Sequence, residues 1–136
     1  MTNYHLKAQD IMQTDVITIL SDLTALDAAL LMKREGVRSL IVERDNEDDA
    51  YGMVTYTDIV DNVLALGLEA AEVKVSEIMT KPLVVLSPNL NVRYVAALFA
   101  QTGIGHAPVI GGHKLVGIVS KTDLIVELIT APNGGE

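Results

Sequence analysis

The chain has 136 residues, 49% of them apolar and 21% charged, and no cysteine; this is an ordinary globular composition that excludes a disulfide framework, a thiolate nucleophile and a cysteine-built zinc or iron–sulfur site. Ten Lys and Arg against eighteen Asp and Glu leave a formal charge of −8, which repels a polyanion, and five aromatic residues supply few stacking platforms, so no nucleic-acid partner is expected. No apolar run reaches the ~18–20 residues that cross a bilayer and the start lacks the charged-then-apolar order of a signal peptide, so the expectation is a cytoplasmic protein with no membrane partner.

The chain is one unit written twice. Residues 10–42 lie on residues 77–109 at a constant offset of 67, which pairs Ile11-Met12 with Ile78-Met79, Leu23 with Leu90, Gly36 with Gly103 and Val42 with Val109. Further on the offset is 65, placing Gly52-Met53-Val54-Thr55-Tyr56-Thr57-Asp58 on Gly117-Ile118-Val119-Ser120-Lys121-Thr122-Asp123, so the first copy carries the longer loop.

In chain order, each copy opens on a β-rich run, residues 16–19 or 83–86, followed by a polar cluster able to start a helix. The helix then places Ala25, Ala28, Ala29 and Met32, or Val92, Val95, Ala96 and Phe99, on one face, and ends at Gly36 or Gly103, suited to the left-handed C-terminal position. Strands are expected at 39–42 and 52–55, and at 107–110 and 117–120. The first pair is joined by residues 43–50, an acidic run read as a solvated turn because it lacks the glycine and distal glutamate of a calcium loop. The second pair is joined by a tight hairpin turn at Gly111-Gly112-His113-Lys114. A last helix beginning at Thr57-Asp58 or Thr122-Asp123 is expected to bury Ile59, Val60, Val63 and Leu64, or Leu124, Ile125, Leu128 and Ile129.

The reading is an α+β (α/β) protein of two β-α-β-β-α repeats: residues 1–66, a linker at 67–75, residues 76–130 and a disordered tail at 131–136. A unit of about sixty residues has a marginal core on its own, so the copies are expected to pack sheet to sheet with pseudo-twofold symmetry.

The chemistry concentrates in the repeated Gly-h-h-Thr/Ser-x-Thr-Asp element. At a strand-to-helix turn it assembles hydroxyls, a carboxylate and free N–H groups, a set able to hold a phosphate or, through the carboxylate, two vicinal ribose hydroxyls. Helix capping explains the same residues, and duplication copies both roles alike. His106 alone reads as a structural histidine. The three histidines lack metal spacing, and no Walker, Rossmann or His-Glu-x-x-His pattern occurs, so neither an enzyme nor a metal site is expected.

Asp10-Ile11-Met12, Glu77-Ile78-Met79-Thr80, the stretch ending His106-Ala107-Pro108-Val109-Ile110 and both acid turns, in this order, resemble the tandem cystathionine β-synthase (CBS) domain pair, or Bateman module. The stretches at residues 38–44 and 50–52 are also similar to a cyanobacterial-type branch whose CBS pair can be fused to a small cysteine-containing Calvin-cycle regulator; that tail is not in this sequence, so a partner would be engaged in trans. The resemblance implies a regulatory, non-enzymatic module binding an adenosine nucleotide in two clefts between the copies.

Carried over, one site joins Thr55, Thr57 and Asp58 to Thr80, Val84, His106 and Pro108; the other joins Ser120, Thr122 and Asp123 to Thr14, Ile17 and Arg38, with Lys121 nearby. The aspartates would take the ribose, the hydroxyls and basic residues the phosphate, and the first-strand backbone the adenine edge. Two departures stand out: Gly105-His106 replaces the basic pair some members carry, and Ile41 stands where the second copy has Pro108. With His106 on its phosphate, the Asp58 site should weaken as pH rises through neutrality, whereas Arg38 should free the Asp123 site of that dependence. The sparse cations, Arg38 and Lys121 on one side and His106 and Lys81 on the other, suit AMP or ADP better than ATP, which would come with Mg²⁺. Family members stack into dimers, which implies a homodimer through the helices after Asp58 and Asp123. The competing reading is a ligand-free dimerisation or docking module acting on an unknown regulated protein.

Overall fold

Both long amphipathic helices form where their 3.6-residue period places them. The computed structural model describes residues 1–81 and 83–130, so the expected tail at 131–136 lies outside the described residues. Helix α2 (Ala25–Glu35) starts at Thr24, whose hydroxyl accepts from the Asp27 amide while the Asp27 carboxylate accepts from the Thr24 amide. Helix α5 (Val92–Thr102) starts at Asn91, whose side chain accepts from the Arg93 amide. They end at Gly36 and Gly103, with φ of 68° and 75°, the left-handed backbone that only glycine adopts without strain. Ala25, Ala28 and Met32, and Val92, Val95 and Phe99, are buried; Ala96, expected beside them, is exposed.

The chain forms two units of different make-up from the linear repeats. One is Ile17–Leu83; the other is Met1–Val16 with the chain from Val84 onward. In the first, β1 (Thr18–Ile19) pairs parallel with β2 (Ser39–Val42), which pairs antiparallel with β3 (Gly52–Thr55). In the second, β4 (His106–Gly111) and β5 (Lys114–Ser120) form an antiparallel hairpin across a two-residue turn, as expected, with a bulge at Val109 and Ile110. The expected strand at 83–86 shrinks to one parallel bridge between Leu86 and Val109. The cause is a single residue. In the first unit Ile41 donates its amide to the Ile17 carbonyl at 3.1 Å, and Pro108, its equivalent, has no N–H to offer Val84.

Two short helices were not foreseen, α1 (Ala8–Ile11) and α4 (Val75–Ile78), and each belongs to the unit of the other repeat's sheet. Ile11 and Ala8 join the core around Phe99, Leu86 and Val109, and Ile78 and Val75 join the core around Met32, Leu40 and Val54. The stretch read as a linker is likewise packed: the Val73 carbonyl accepts from Ala25, the first helical amide of α2, at 2.7 Å, and the Val75 amide donates to Leu23 at 2.8 Å.

The last helix of each repeat begins one residue before Thr57 or Thr122. Helices α3 (Tyr56–Ile59) and α6 (Lys121–Ile125) run on into wider π-type turns, Val60–Leu64 and Val126–Thr130. Only half of the expected apolar set is buried. Ile59, Val63, Leu124 and Leu128 lie in the cores, whereas Val60 (51%), Leu64 (60%), Ile125 (53%) and Ile129 (57%) are solvent-exposed. The overall class is the α+β mixture read from the sequence.

Candidate functional site

Each acid turn is a reciprocal cap at the junction of a strand and a helix. In the first unit the Thr55 hydroxyl accepts from the Asp58 amide at 3.2 Å, and Asp58 Oδ2 accepts from the Thr55 amide at 2.8 Å. In the second, Ser120 and Asp123 exchange the same two bonds at 3.2 and 2.8 Å, and the Ser120 hydroxyl also donates to Oδ2 at 3.0 Å. Capping is therefore real, but it engages only one carboxylate oxygen, Oδ2. The second hydroxyls, Thr57 and Thr122, are exposed on the first turn. The cap thus leaves Oδ1 of each aspartate and the exposed threonine hydroxyl outside it.

The glycine that opens each motif admits a neighbouring backbone. A Cβ on Gly117 would lie 2.6 Å from Met12 Sδ and 2.9 Å from the Gln13 carbonyl; on Gly52 it would lie 3.0 Å from Met79 Sδ and 3.2 Å from the Thr80 carbonyl. Through that gap Gln13 exchanges two backbone bonds with Ile118 (2.8 and 3.0 Å), and Thr80 exchanges two with Met53 (3.0 and 2.9 Å). The paired Ile-Met signatures are thereby explained: the isoleucine fills the core and the methionine lies over the glycine.

The site residues divide by unit in a way that crosses the expected grouping. Arg38 and Ile17 belong to the unit of Thr55, Thr57, Asp58 and Thr80; His106, Pro108, Val84 and Thr14 belong to that of Ser120, Lys121, Thr122 and Asp123. Arg38, exposed, gives its carbonyl to the Tyr56 amide at 3.1 Å, directly at the Asp58 turn. Gly105 does the same for the Lys121 amide at 3.0 Å, and His106 stands opposite Ser120 in the hairpin. The strand carrying each basic residue pairs with the strand leading into its own repeat's acid turn.

The electrostatics follow that geometry. Partial burial pushes the His106 imidazole below its ordinary value, and the negative charge of Asp123 opposes that shift. Lys81 is not a free cation: its Nζ lies 2.6 Å from Asp49 Oδ2. The Asp45 amide and this ammonium hold the Asp49 carboxyl down at about 2. The rest of the acidic loop closes on itself, with the Asp48 amide donating to Asn46 and Arg44 stacked 4.8 Å from the centre of the Tyr51 ring.

One residue absent from the expected site bonds directly to it. Gln13 Nε2 donates to Asp123 Oδ1 at 2.9 Å, and Asp123 is buried, with 8% exposure. The repeat offset contains the signal, since it sets Gln13 opposite Thr80 and Thr14 opposite Lys81; matching the two threonines by type concealed it. In the first unit, no described residue donates to Asp58 Oδ1.

The CBS domain family model matches residues 8–65 and 75–130, nearly the whole of the described chain. The chain belongs to the CBS-domain family. A hexameric CBS-CP12 protein from bloom-forming cyanobacteria is 50% identical, with a TM-score of 0.87 over 90% of this chain and 68% of that one. The CBS domain-containing protein YhcV of Bacillus subtilis is 33% identical over 93% of this chain and 89% of its own length. A CBS domain pair solved in complex with 5′-methylthioadenosine and S-adenosyl-L-methionine is 25% identical, with a TM-score of 0.74 over 87% of this chain and 91% of that one. The chain spans between 59% and 89% of the length of the first curated relatives it matches. No described helix is long and apolar enough to cross a membrane.

Proposed function

We propose that this CBS pair is a regulatory module that binds an adenosine-containing ligand at its acid turns and acts on a partner protein in the cytoplasm without catalysing a reaction itself. The observation that carries the reading is the division of labour within each aspartate. Oδ2 closes the helix cap, which fixes the carboxylate, and Oδ1 stays outside the cap, without a donor among the described residues at Asp58 and bonded to Gln13 at Asp123. A fixed carboxylate beside an exposed threonine hydroxyl suits a ribose diol and an adjoining phosphate. The relative that holds two adenosine compounds supports the ligand class.

AMP or ADP is the preferred ligand. Arg38 serves the Asp58 turn, and Lys121 with His106 serves the Asp123 turn, while Lys81 is neutralised by Asp49. One or two cations per turn match one or two phosphates; ATP would need Mg²⁺ to offset its charge. The pH dependence attached to His106 therefore moves to the Asp123 turn, whose phosphate affinity should fall as pH rises, while Arg38 keeps the Asp58 turn insensitive.

Calorimetric titration with AMP, ADP, ATP and S-adenosylmethionine, with and without Mg²⁺, tests the proposal. Asp58→Ala and Asp123→Ala should each abolish or weaken one site by about ten- to a hundredfold, the worth of charge-assisted bonds. No heat from folded protein with any of the four ligands would refute it.

A second reading, a homodimer or docking surface, rests on the exposed halves of the last helices, Val60 and Leu64 in one unit and Ile125 and Ile129 in the other. Light scattering on wild type, Leu64→Asp and Ile129→Asp tests it, with a monomeric wild type as the refuting result. Ligand-dependent thermal protection separates the two readings, because only a binder gains stability by mass action.

A further inference from the structure

We infer that Gln13 is a built-in competitor that lowers the ligand affinity of the Asp123 turn relative to the Asp58 turn. The inference rests on the reading that these carboxylates accept ligand hydroxyls. Asp123 Oδ1, the oxygen the cap leaves over, accepts from Gln13 Nε2 at 2.9 Å, and the carboxylate is buried. Gln13 is exposed, and two backbone bonds to Ile118, at 2.8 and 3.0 Å, fix its main chain beside β5, from where the side-chain amide reaches Oδ1. Oδ1 keeps a second lone pair, but on a carboxylate only 8% exposed a ligand hydroxyl competes with this charge-assisted donor for access.

The other unit supplies the internal control. Thr80 occupies the same backbone position, held by two bonds to Met53 at 3.0 and 2.9 Å, and its short branched side chain makes no hydrogen bond to Asp58. Asp58 is also more exposed than Asp123, so its free oxygen meets a ligand directly. Gln13 touches no reacting group and is a positioning residue that sets affinity. Two turns of the same fold would then respond to one ligand over two concentration ranges.

The test exchanges the two residues and reads each turn alone, with AMP and S-adenosylmethionine as calorimetric probes. In an Asp58→Asn background, Gln13→Thr should tighten binding at the Asp123 turn by about tenfold, since the competing bond to a charged group is gone. In an Asp123→Asn background, Thr80→Gln should weaken the Asp58 turn by a similar factor. A gain in affinity cannot come from a damaged fold, which separates the proposal from a merely structural role. Side-chain amide exchange of Gln13 by NMR gives a readout without ligand: protection in the wild type that is lost in Asp123→Ala is expected. Unchanged affinity in both exchanges, with binding otherwise intact, overturns the competitor and leaves the nucleotide reading standing. No binding by any variant, with the Gln13 amide protected, overturns the nucleotide reading and the competitor with it.

Discussion

The two units share a backbone and differ in what they hang on it. Tyr56 and Lys121 donate to Arg38 and Gly105 at 3.1 and 3.0 Å, and Thr80 and Gln13 are held by the same pair of bridges. The cores match position for position as well, Met32 with Phe99, Val42 with Val109, Val54 with Val119 and Val63 with Leu128. The side chains around the acid turns differ: Arg38 against Gly105, Tyr56 against Lys121, Ile41 against Pro108 and Thr80 against Gln13. Main-chain bonds tolerate most side chains, proline excepted, so a duplicated fold can keep its frame while the side chains at its two turns diverge.

The largest expected effect tests whether the cores are equivalent. Phe99 and Met32 are almost fully buried at matching positions. Phe99→Ala should cost about 3–5 kcal/mol and Met32→Ala about 2–4 kcal/mol, read by urea unfolding, because the ring leaves the larger cavity. A Met32 cost exceeding that of Phe99 would show that the two cores relax differently and break the correspondence.

Next in size is the glycine contact. Gly117→Ala must displace the Gln13 carbonyl and Met12, whereas Gly52→Ala meets its neighbours a few tenths of an ångström farther off. Overpacking of this kind costs about 1–3 kcal/mol, with Gly117 at the upper end. Thermal unfolding of both variants ranks them, and equal losses would mean that the leading segments yield equally. Smaller again are the caps: Ser120→Ala should cost about 1–2 kcal/mol and Thr55→Ala about 1 kcal/mol, since Ser120 donates an additional bond to Asp123.

Much of this contrast could be read from the chain. The offsets of 67 and 65 located both helices, their glycine ends, the hairpin and both acid turns, because helical periodicity, left-handed glycine and two-residue turns are local properties. Three features escaped for a physical reason each. The loss of the strand at 83–86 follows from one missing N–H at Pro108, which acts on a residue more than twenty positions away. The exposure of Val60, Leu64, Ile125 and Ile129 follows from their place one residue after the buried Ile59, Val63, Leu124 and Leu128, about 100° round the helix, so the core takes one of each adjacent pair. The bond from Gln13 to Asp123 depends on the bridge between Gln13 and Ile118, which the order of motifs along the chain does not specify.

The smallest effect sharpens the contrast between the two loops. Among the described residues only the first unit has an acidic loop clamped to a lysine; the equivalent connection in the second is the turn at Gly112 and His113. The Asp49 carboxyl is held down at about 2 from an ordinary 3.8, chiefly by the Asp45 amide and then by Lys81. A carboxyl whose pKa is lower folded than unfolded stabilises the fold above the unfolded value, and that contribution disappears as pH falls through the folded one. Asp49→Asn should therefore lower the melting temperature at pH 7, and its deficit should shrink from pH 4 toward pH 2 as the wild-type carboxyl is protonated. Salt should narrow the gap at neutral pH as well, because the ion pair keeps access to solvent. The same scan on His113→Gly supplies the comparison, with no carboxylate lost and hence no change in difference over that range. A deficit for Asp49→Asn that stays constant down to pH 2 would assign the loop's stability to backbone turns alone, leaving Lys81 free to meet a phosphate and removing the charge difference drawn between the two units.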